Sequence, residues 1–271
     1  MPPGLTWREK LETVRNSGFD HLELSLDESD EKLARLTWDR EQKNGFRAAM
    51  DYTDVPVRSI CLSGHRKYPF GSHDANVRKR SLEIMEGALD FAACFGIRLI
   101  QLAGYDVYYE KGDAETRGFF VENLKKAVQM ASERGVIMGF ETMETPFMDT
   151  VGKAVHYVDL INSPNLGIYP DIGNLSNAAL KDGHDYRADL DLGAGHIFAA
   201  HLKETKPGHY RNLQFGTGLT PYDEALQALY AQGVNLFVGE FWYLGSETWE
   251  EDIKAASVFL RTKIESIYGR E

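Results

Sequence analysis

Short apolar, β-branched runs recur along the chain between longer amphipathic stretches. Their starts lie 31 to 41 residues apart, which leaves room for one strand, one crossover helix and two loops. This repeat predicts strands and helices that alternate in a parallel α/β fold. The seven runs are HLELSLD from His21, VRSICLSG from Val57, RLIQLAG from Arg98, GVIMGFETM from Gly135, LGIYPDIGN from Leu166, IFAAHLKET from Ile197 and NLFVGEFWY from Asn235.

The stretches between these runs have the pattern of helices. In the segments 75–96 and 115–135, apolar side chains lie near helical spacing and a glycine stands at each C-terminal end. The repeats are nearly uniform, and no linker rich in serine or proline interrupts them. We therefore expect residues 1–271 to form a single domain, a TIM (β/α)8-type barrel.

The first strand of such a barrel is missing from the pattern. Eight units need about 290 residues, and this chain has 271. Thr6 is predicted to cap a first helix from Trp7 to Asn16, with Glu9 completing a capping box, so that only MPPGL precedes the cap. Either an open arrangement of seven strands is native, or the chain starts too late. We favour the late start, because a barrel closes to remove its strand edges.

Composition narrows the range of partners. The chain has 43% apolar and 26% charged residues, as expected of a globular protein with a sizeable core. Its 41 acidic and 30 basic residues give a net charge of -11, which repels nucleic acids and anionic membranes and favours a small substrate. Cys61 and Cys94 are too few for a disulfide framework, and no leader or long apolar run occurs. We expect a cytoplasmic protein.

Ionisable residues stand at the C-terminal ends of four consecutive runs. They are Glu141, Asp171, His201 and Glu240, spaced 30, 30 and 39 residues apart. Taken singly, such a residue is more often a helix cap or a surface charge. The C-terminal strand ends of a parallel barrel converge, however, so the four together predict a metal site. Three carboxylates and an imidazole suit Mn²⁺, Mg²⁺, Co²⁺ or Zn²⁺.

Longer motifs around these residues point to a known family. They are LSLDESDEKLARLTWDREQ, CLSGHRKYPFGS, IQLAGYDVYYE, YPDIGNLS and AAHLKETKPG, together with GFETMETP and VGEFW. They resemble the L-ribulose-5-phosphate/L-xylulose-5-phosphate 3-epimerases of the xylose-isomerase-like barrel superfamily, over nearly the whole chain. The resemblance implies that Glu141, Asp171, His201 and Glu240 hold a metal ion. It also implies a strand before the first helix, in agreement with the missing strand.

The resemblance implies interconversion of L-xylulose 5-phosphate and L-ribulose 5-phosphate through an enediolate. Inversion of a carbon beside a ketone requires that a proton leave one face and return to the other. Glu141 and Glu240 lie three strands apart and approach the barrel axis from different sides, so we interpret them as the opposed acid and base. Asp171 and His201 then orient the ion.

Three further residues are candidates for contact with the phosphorylated ketose. His65 follows the strand that ends in CLSG. Lys203 lies two residues past His201 and therefore on the same face of its strand. Asn174 has the spacing to donate a hydrogen bond to the substrate, although capping the following helix is an equally good interpretation.

Three other functions compete with the epimerase. A metal-dependent aldose–ketose isomerase would use the same ion for a hydride shift between C1 and C2. An apurinic-site endonuclease would need more histidine ligands and a basic face, which the negative charge opposes. A barrel that binds sugar phosphates without turnover is the non-enzymatic alternative. Homodimer formation is common in this superfamily and is a further expectation.

Overall fold

The structure of the protein, a computed structural model, describes residues 1–269. All seven runs form strands, as predicted, and each strand is shorter than its run. The strands are β1 (Leu22–Ser25), β2 (Val57–Leu62), β3 (Leu99–Ala103), β4 (Ile137–Glu141), β5 (Leu166–Tyr169), β6 (Ala200–Leu202) and β7 (Phe237–Gly239). The helices are α1 (Trp7–Asn16), α2 (Asp30–Leu33), α3 (Arg40–Thr53), α4 (Ala75–Phe95), α5 (Ala114–Glu133), α6 (Val151–Ile161), α7 (Ile172–Asp182), α8 (Tyr186–Asp191), α9 (Tyr222–Ala231) and α10 (Trp249–Tyr268).

The strands are parallel and follow one another in chain order. β1 to β5 form one hydrogen-bonded sheet, and β6 pairs with β7. Isolated bridges from Ile168 to Ile197 and from Asp171 to His201 continue this order from β5 to β6. This is the strand order of a TIM-type barrel. Within residues 1–269 no strand pairing joins β7 to β1, so the barrel is open between these two strands.

Local sequence signals fix the helix ends as expected. The Thr6 side chain accepts a hydrogen bond from the Glu9 amide at 3.3 Å, and the Glu9 carboxylate accepts one from the Thr6 amide at 2.7 Å. This capping box confirms the predicted start of α1. Gly96 and Gly183 end α4 and α7 at φ values of +71° and +70°, which is the left-handed conformation that glycine adopts without strain.

The barrel core is apolar. All five residues of β3 are buried, and the largest cluster of buried apolar side chains extends from Leu24 to Ile267. An unpaired charge is costly in such surroundings, so an acid buried there requires a cation or hydrogen-bond donor beside it.

Among residues 1–269, none of the helices combines the length and apolar character that crossing a bilayer requires.

We call the open side of the barrel, between β7 and β1, the seam. A cavity of about 620 Å³ lies there, and Phe19, Glu23 and Leu260 contribute to its walls. The residues of β7 are only half-buried, in contrast to those of β3. Side-chain contacts cross the seam: the Phe19 ring stacks near that of Phe241, with the ring centroids 6.5 Å apart, and Arg261 on α10 pairs with Asp20 at 2.6 Å. The seam leads inward to the C-terminal ends of the strands.

Candidate metal centre

Four side chains from consecutive strands meet at the C-terminal mouth of the barrel. Glu141 is the last residue of β4, Asp171 follows β5, His201 lies in β6 and Glu240 follows β7. One possible ligand atom from each residue lies within 4.8 Å of all the others. The fold therefore brings together all four residues that the strand-end pattern singled out. We call them the acid–histidine cluster.

His201 lies at the centre of this cluster. Its ring is 1% exposed, and Nδ1 lies 3.3 Å from Oε1 of Glu141 and 3.5 Å from Oε2 of Glu240. The opposite ring nitrogen, Nε2, lies 2.6 Å from Oε1 of Glu23. Burial alone would lower the pKa of His201, but the carboxylates of Glu23 and Glu141 raise it well above its usual value. The imidazole is thus surrounded by acids on both sides.

The two oxygen atoms of Asp171 have different environments. Oδ1 accepts hydrogen bonds from the amides of Gly173 and Asn174, at 2.8 and 3.0 Å, and so caps helix α7. Oδ2 points into the cluster, 2.5 Å from the ammonium nitrogen of Lys203. Burial raises the pKa of Asp171 to about 6, a shift that Lys203 opposes and Glu240 reinforces. The same carboxylate therefore caps a helix and belongs to the cluster.

Lys203 supplies positive charge inside the cluster. Its side chain is 5% exposed, and Nζ also lies 3.3 Å from Oε2 of Glu240. Burial alone would lower the pKa of Lys203, but Asp171 and Glu240 raise it above its usual value. The ammonium group is bound by acids of the cluster in this structure, and its contact with a substrate stays a prediction.

The cluster fits a divalent cation. Oδ2 of Asp171 and Oε2 of Glu240 are buried and accept no hydrogen bond of good geometry, although the ammonium group of Lys203 lies beside both. A buried carboxylate oxygen without a hydrogen-bond donor is costly unless a cation compensates it. Three carboxylates and one imidazole nitrogen form the donor set that Mn²⁺, Mg²⁺, Co²⁺ and Zn²⁺ accept. A metal site at this position agrees with the chemistry of these ligands and with three carboxylates that face one ammonium group.

Asn174 lies in the first turn of α7 but is not the cap of that helix. Its side-chain amide donates to the carbonyl of Thr142 at 2.8 Å, while Asp171 caps α7. Oδ1 of Asn174 is buried without a hydrogen-bond partner. The capping role considered for Asn174 is thus filled by Asp171, and a contact between Asn174 and the substrate stays a prediction.

His65 lies in a short 3₁₀ helix after β2 and has structural partners of its own. Its Nε2 atom lies 3.1 Å from the carbonyl oxygen of Ser81, and its ring packs against Phe70 with the ring centroids 4.4 Å apart. Burial lowers the pKa of His65 to about 4, so the ring is neutral near pH 7. Its proposed contact with substrate stays a prediction.

Two buried polar residues beside the cluster were missed from the sequence. Gln101 in β3 donates its side-chain amide to Glu141. Glu23 in β1 accepts hydrogen bonds from Ser59 at 2.6 Å and from Tyr169 at 2.9 Å. Burial alone would raise the pKa of Glu23, but His201 and these hydroxyl groups bring it below its usual value.

A sequence signal for these two residues existed. Gln101 is a lone polar residue in the apolar run LIQLA. Glu23 occurs in the alternating run LELS, which is typical of a strand with one solvated face. In the structure that face points into the barrel, so the polar positions mark its interior.

The loops at the mouth are joined by one carboxylate. Glu144, on the β4–α6 loop, accepts hydrogen bonds from Tyr105 at 2.9 Å and Tyr108 at 3.3 Å, and it pairs with Arg211 at 3.1 Å. The Arg66 guanidinium lies 5.2 Å from the centroid of the Tyr108 ring. Two arginine side chains therefore lie at the entrance to the cluster.

A protein-family model described as a xylose isomerase-like TIM barrel matches residues 11–263. The chain belongs to this family. The family expected from the sequence motifs is thereby confirmed. L-ribulose-5-phosphate 3-epimerase UlaE of Escherichia coli O139:H28 is 44% identical over 252 residues, which cover 93% of this chain and 86% of that protein. The protein of the same name from Salmonella paratyphi B is 41% identical over 267 residues, covering 98% and 93% of the two chains.

Solved structures with the same fold match at lower identity. D-psicose 3-epimerase from Clostridium cellulolyticum H10, solved with D-tagatose, superposes with a TM-score of 0.78 at 17% identity and covers 96% of this chain and 94% of that chain. An L-ribulose 3-epimerase structure has a TM-score of 0.73 at 18% identity, with 97% and 90% coverage. These likenesses confirm the TIM-type barrel.

Proposed function

We propose that this protein is a metal-dependent isomerase that epimerises C3 of a ketose phosphate, interconverting L-xylulose 5-phosphate and L-ribulose 5-phosphate. The observation that carries the proposal is the convergence of Glu141 and Glu240, from β4 and β7, on the same ring nitrogen of His201. The named relatives at 44% and 41% identity support the same reaction and substrate class.

The two glutamates carry out the proton transfers. One carboxylate removes the C3 proton from one face of the ketose and leaves an enediolate. The other carboxylic acid then delivers a proton to the opposite face, and the roles reverse in the back reaction. Glu141 accepts a hydrogen bond from Gln101, which fixes the direction of its carboxylate. Glu240 is 25% exposed in its side chain and lies nearer the open mouth.

The acid–histidine cluster is the proposed site of a divalent cation, Mn²⁺, Mg²⁺, Co²⁺ or Zn²⁺. A bound cation supplies positive charge against the oxygen charge that develops when C3 loses its proton. The ammonium group of Lys203 adds a second positive charge to the same space.

Unpaired buried acceptors support the binding of a polyhydroxy substrate. Oε1 of Gln101 and Oδ1 of Asn174 are both buried without a hydrogen-bond partner. Hydroxyl groups of a ketose are donors of the kind that such atoms lack. We therefore place the ketose hydroxyl groups against Gln101 and Asn174.

The mouth arginines are suited to the phosphate group. Arg211 reaches the entrance from the β6–α9 loop, and Arg66 reaches it from the turn after β2. Guanidinium groups bind phosphate through paired hydrogen bonds, and Glu144 holds the Arg211 side chain at the entrance until a phosphate competes for it. Dimer formation and a cytoplasmic location stay predictions.

The decisive experiment is turnover in D₂O with Mn²⁺ supplied. Deuterium at C3 of the product is expected, together with a rate loss on the order of 10²- to 10⁴-fold in Glu141→Gln and in Glu240→Gln. Retention of the substrate hydrogen would indicate the hydride shift of an aldose–ketose isomerase. Binding of the ketose phosphate without any turnover would indicate a non-catalytic barrel, and full activity in either variant would exclude the two-base mechanism.

A further inference from the structure

The carboxylate of Glu23 lies behind the acid–histidine cluster, on the strand that borders the seam. Its side chain is 7% exposed, and Oε1 lies 2.6 Å from Nε2 of His201. Its other oxygen accepts the hydrogen bonds from Ser59 and Tyr169. Side chains from β2, β5 and β6 thus hold one carboxylate on β1 in a fixed position.

This arrangement gives the His201 ring a defined direction. Nδ1 faces the carboxylates of Glu141 and Glu240, whereas Nε2 faces Glu23. The ring of Tyr169 packs on the imidazole edge to face, with the ring centroids 4.8 Å apart. A neutral imidazole offers one nitrogen as a ligand only when the other nitrogen carries the proton. An acceptor at Nε2 therefore leaves Nδ1 free toward the cluster.

We propose that Glu23 is a positioning residue for the metal centre. It accepts a hydrogen bond from Nε2–H of His201, which selects the tautomer with Nδ1 as the ligand and fixes the ring toward the cation. The inference rests on the proposed function, because it takes the acid–histidine cluster to be a divalent-metal site. The contact also links β1 to β6 across the open side of the barrel, where main-chain pairing stops.

The test is metal affinity without substrate, in the full chain at constant pH. The dissociation constant of Mn²⁺ is measured by calorimetry, and the absorption spectrum of bound Co²⁺ reports the ligand geometry. Glu23→Ala is expected to weaken Mn²⁺ binding about 10- to 100-fold and to change the Co²⁺ spectrum. Glu23→Gln, which keeps an acceptor for Nε2–H but loses the charge, is expected to restore most of that affinity.

Glu204 offers a matched control. It is also a buried glutamate, but its carboxylate accepts hydrogen bonds from the backbone amides of Thr205, Gly216 and Thr220, at 3.0, 2.6 and 3.2 Å. Glu204→Gln is expected to lower the melting temperature while the folded protein keeps the wild-type affinity for Mn²⁺. An affinity loss in Glu204→Gln as large as that in Glu23→Ala would reduce Glu23 to a structural role and overturn the proposal.

Two other results are equally decisive. Wild-type affinity and an unchanged Co²⁺ spectrum in folded Glu23→Ala would overturn the inference and leave the proposed function intact. Failure of the wild-type protein itself to bind Mn²⁺ or Co²⁺ would instead overturn the metal centre. If Glu23→Ala does not fold, Glu23→Leu takes its place, because leucine fills the space without offering an acceptor to Nε2–H; wild-type affinity and an unchanged Co²⁺ spectrum in Glu23→Leu would overturn the inference.

Discussion

The ammonium nitrogen of Lys203 lies 2.5 Å from Oδ2 of Asp171, inside the cluster that is suited to a metal ion. The same oxygen accepts no hydrogen bond of good geometry. One cationic side chain therefore balances carboxylates that a divalent ion would also neutralise. The stability of the protein should depend on both positive charges, and metal binding should be linked to Lys203.

Lys203→Met should reveal this linkage. Without metal, the variant leaves buried carboxylates without their cation, and we expect the free energy of unfolding to fall by about 3–5 kcal/mol. Excess Mn²⁺ should restore much of this loss, because the ion replaces the missing charge. The measurement is urea unfolding of both proteins in EDTA and in Mn²⁺.

Lys153 is the matched control for Lys203. Its ammonium group also lies 2.5 Å from an aspartate, Asp149, but its side chain is 43% exposed. Lys153→Met should therefore cost less than about 1 kcal/mol, with or without Mn²⁺. Equal losses for Lys203→Met in EDTA and in Mn²⁺ would contradict the linkage.

Arg211→Ala should separate recognition of the phosphate from the chemical step. We expect KM for the phosphorylated ketose to rise about 10- to 100-fold while kcat changes little, because the lost contact is a charge-assisted hydrogen bond. Steady-state kinetics with the ketose phosphate and with the unphosphorylated ketose provide the measurement. The unphosphorylated sugar should lose no affinity.

The control for Arg211 is Arg187→Ala on helix α8. Arg187 also pairs with a carboxylate, that of Asp191, at 3.0 Å, and its side chain is 37% exposed against 42% for Arg211. It should leave both KM values unchanged. A rise in KM of the same size for both sugars in Arg211→Ala would argue against a phosphate contact.

His65 should make stability depend on pH below neutrality. Its pKa is about 4 in the folded protein and about 6.5 when unfolded, so the unfolded chain binds the extra proton between these values. The stability that neutral His65 contributes is complete above pH 6.5 and is lost as the pH falls toward 4. The full loss corresponds to about 3 kcal/mol.

Comparison with His65→Gln isolates this contribution. The variant lacks the titrating group, so the difference in unfolding free energy between the two proteins should shrink by about 3 kcal/mol from pH 7 to pH 4. Chemical denaturation at several pH values measures it. A difference that stays constant over this range would mean that the His65 ring is not held neutral by burial.

The seam should be the least stable part of the barrel. β7 is half-buried and pairs on one side only, whereas β3 is fully buried between two strands. We expect amides of β7 to exchange with solvent at least about tenfold faster than those of β3, by hydrogen exchange and mass spectrometry. Mn²⁺ should slow exchange in β7, since Glu240 directly follows it. Equal protection of the two strands would show that the open edge does not lower the local stability of β7.

Much of the fold could be predicted from the sequence because the signals that specify its elements are local. The capping box of Thr6 and Glu9, the glycine at 96 and the apolar run of β3 each specify their own element without reference to distant residues. The convergence of the four cluster residues could also be predicted from the sequence. Each stands at the C-terminal end of a strand, and parallel strands in a barrel bring those ends together whatever the details of packing.

The side chains that contact the cluster could not be predicted from the sequence in the same way. The alternation in LELS placed Glu23 on the polar face of β1. Only the curvature of the sheet turned that face toward the barrel interior. The sequence did not show which residue caps α7, and in the structure the cap is Asp171 and not Asn174. Contact of Lys203 with the substrate stays a prediction, and only the packed strand ends showed that its ammonium group also lies against two acids.

The sequence by itself determined the alternation of strands and helices, the seven strand-forming runs and the four acid and histidine residues at the strand ends. Tertiary structure alone decided how their charges are balanced. Glu23 and His201 are 178 residues apart in the chain and 2.6 Å apart in space. No local pattern encodes such a contact, because it depends on the tilt and order of every strand between β1 and β6.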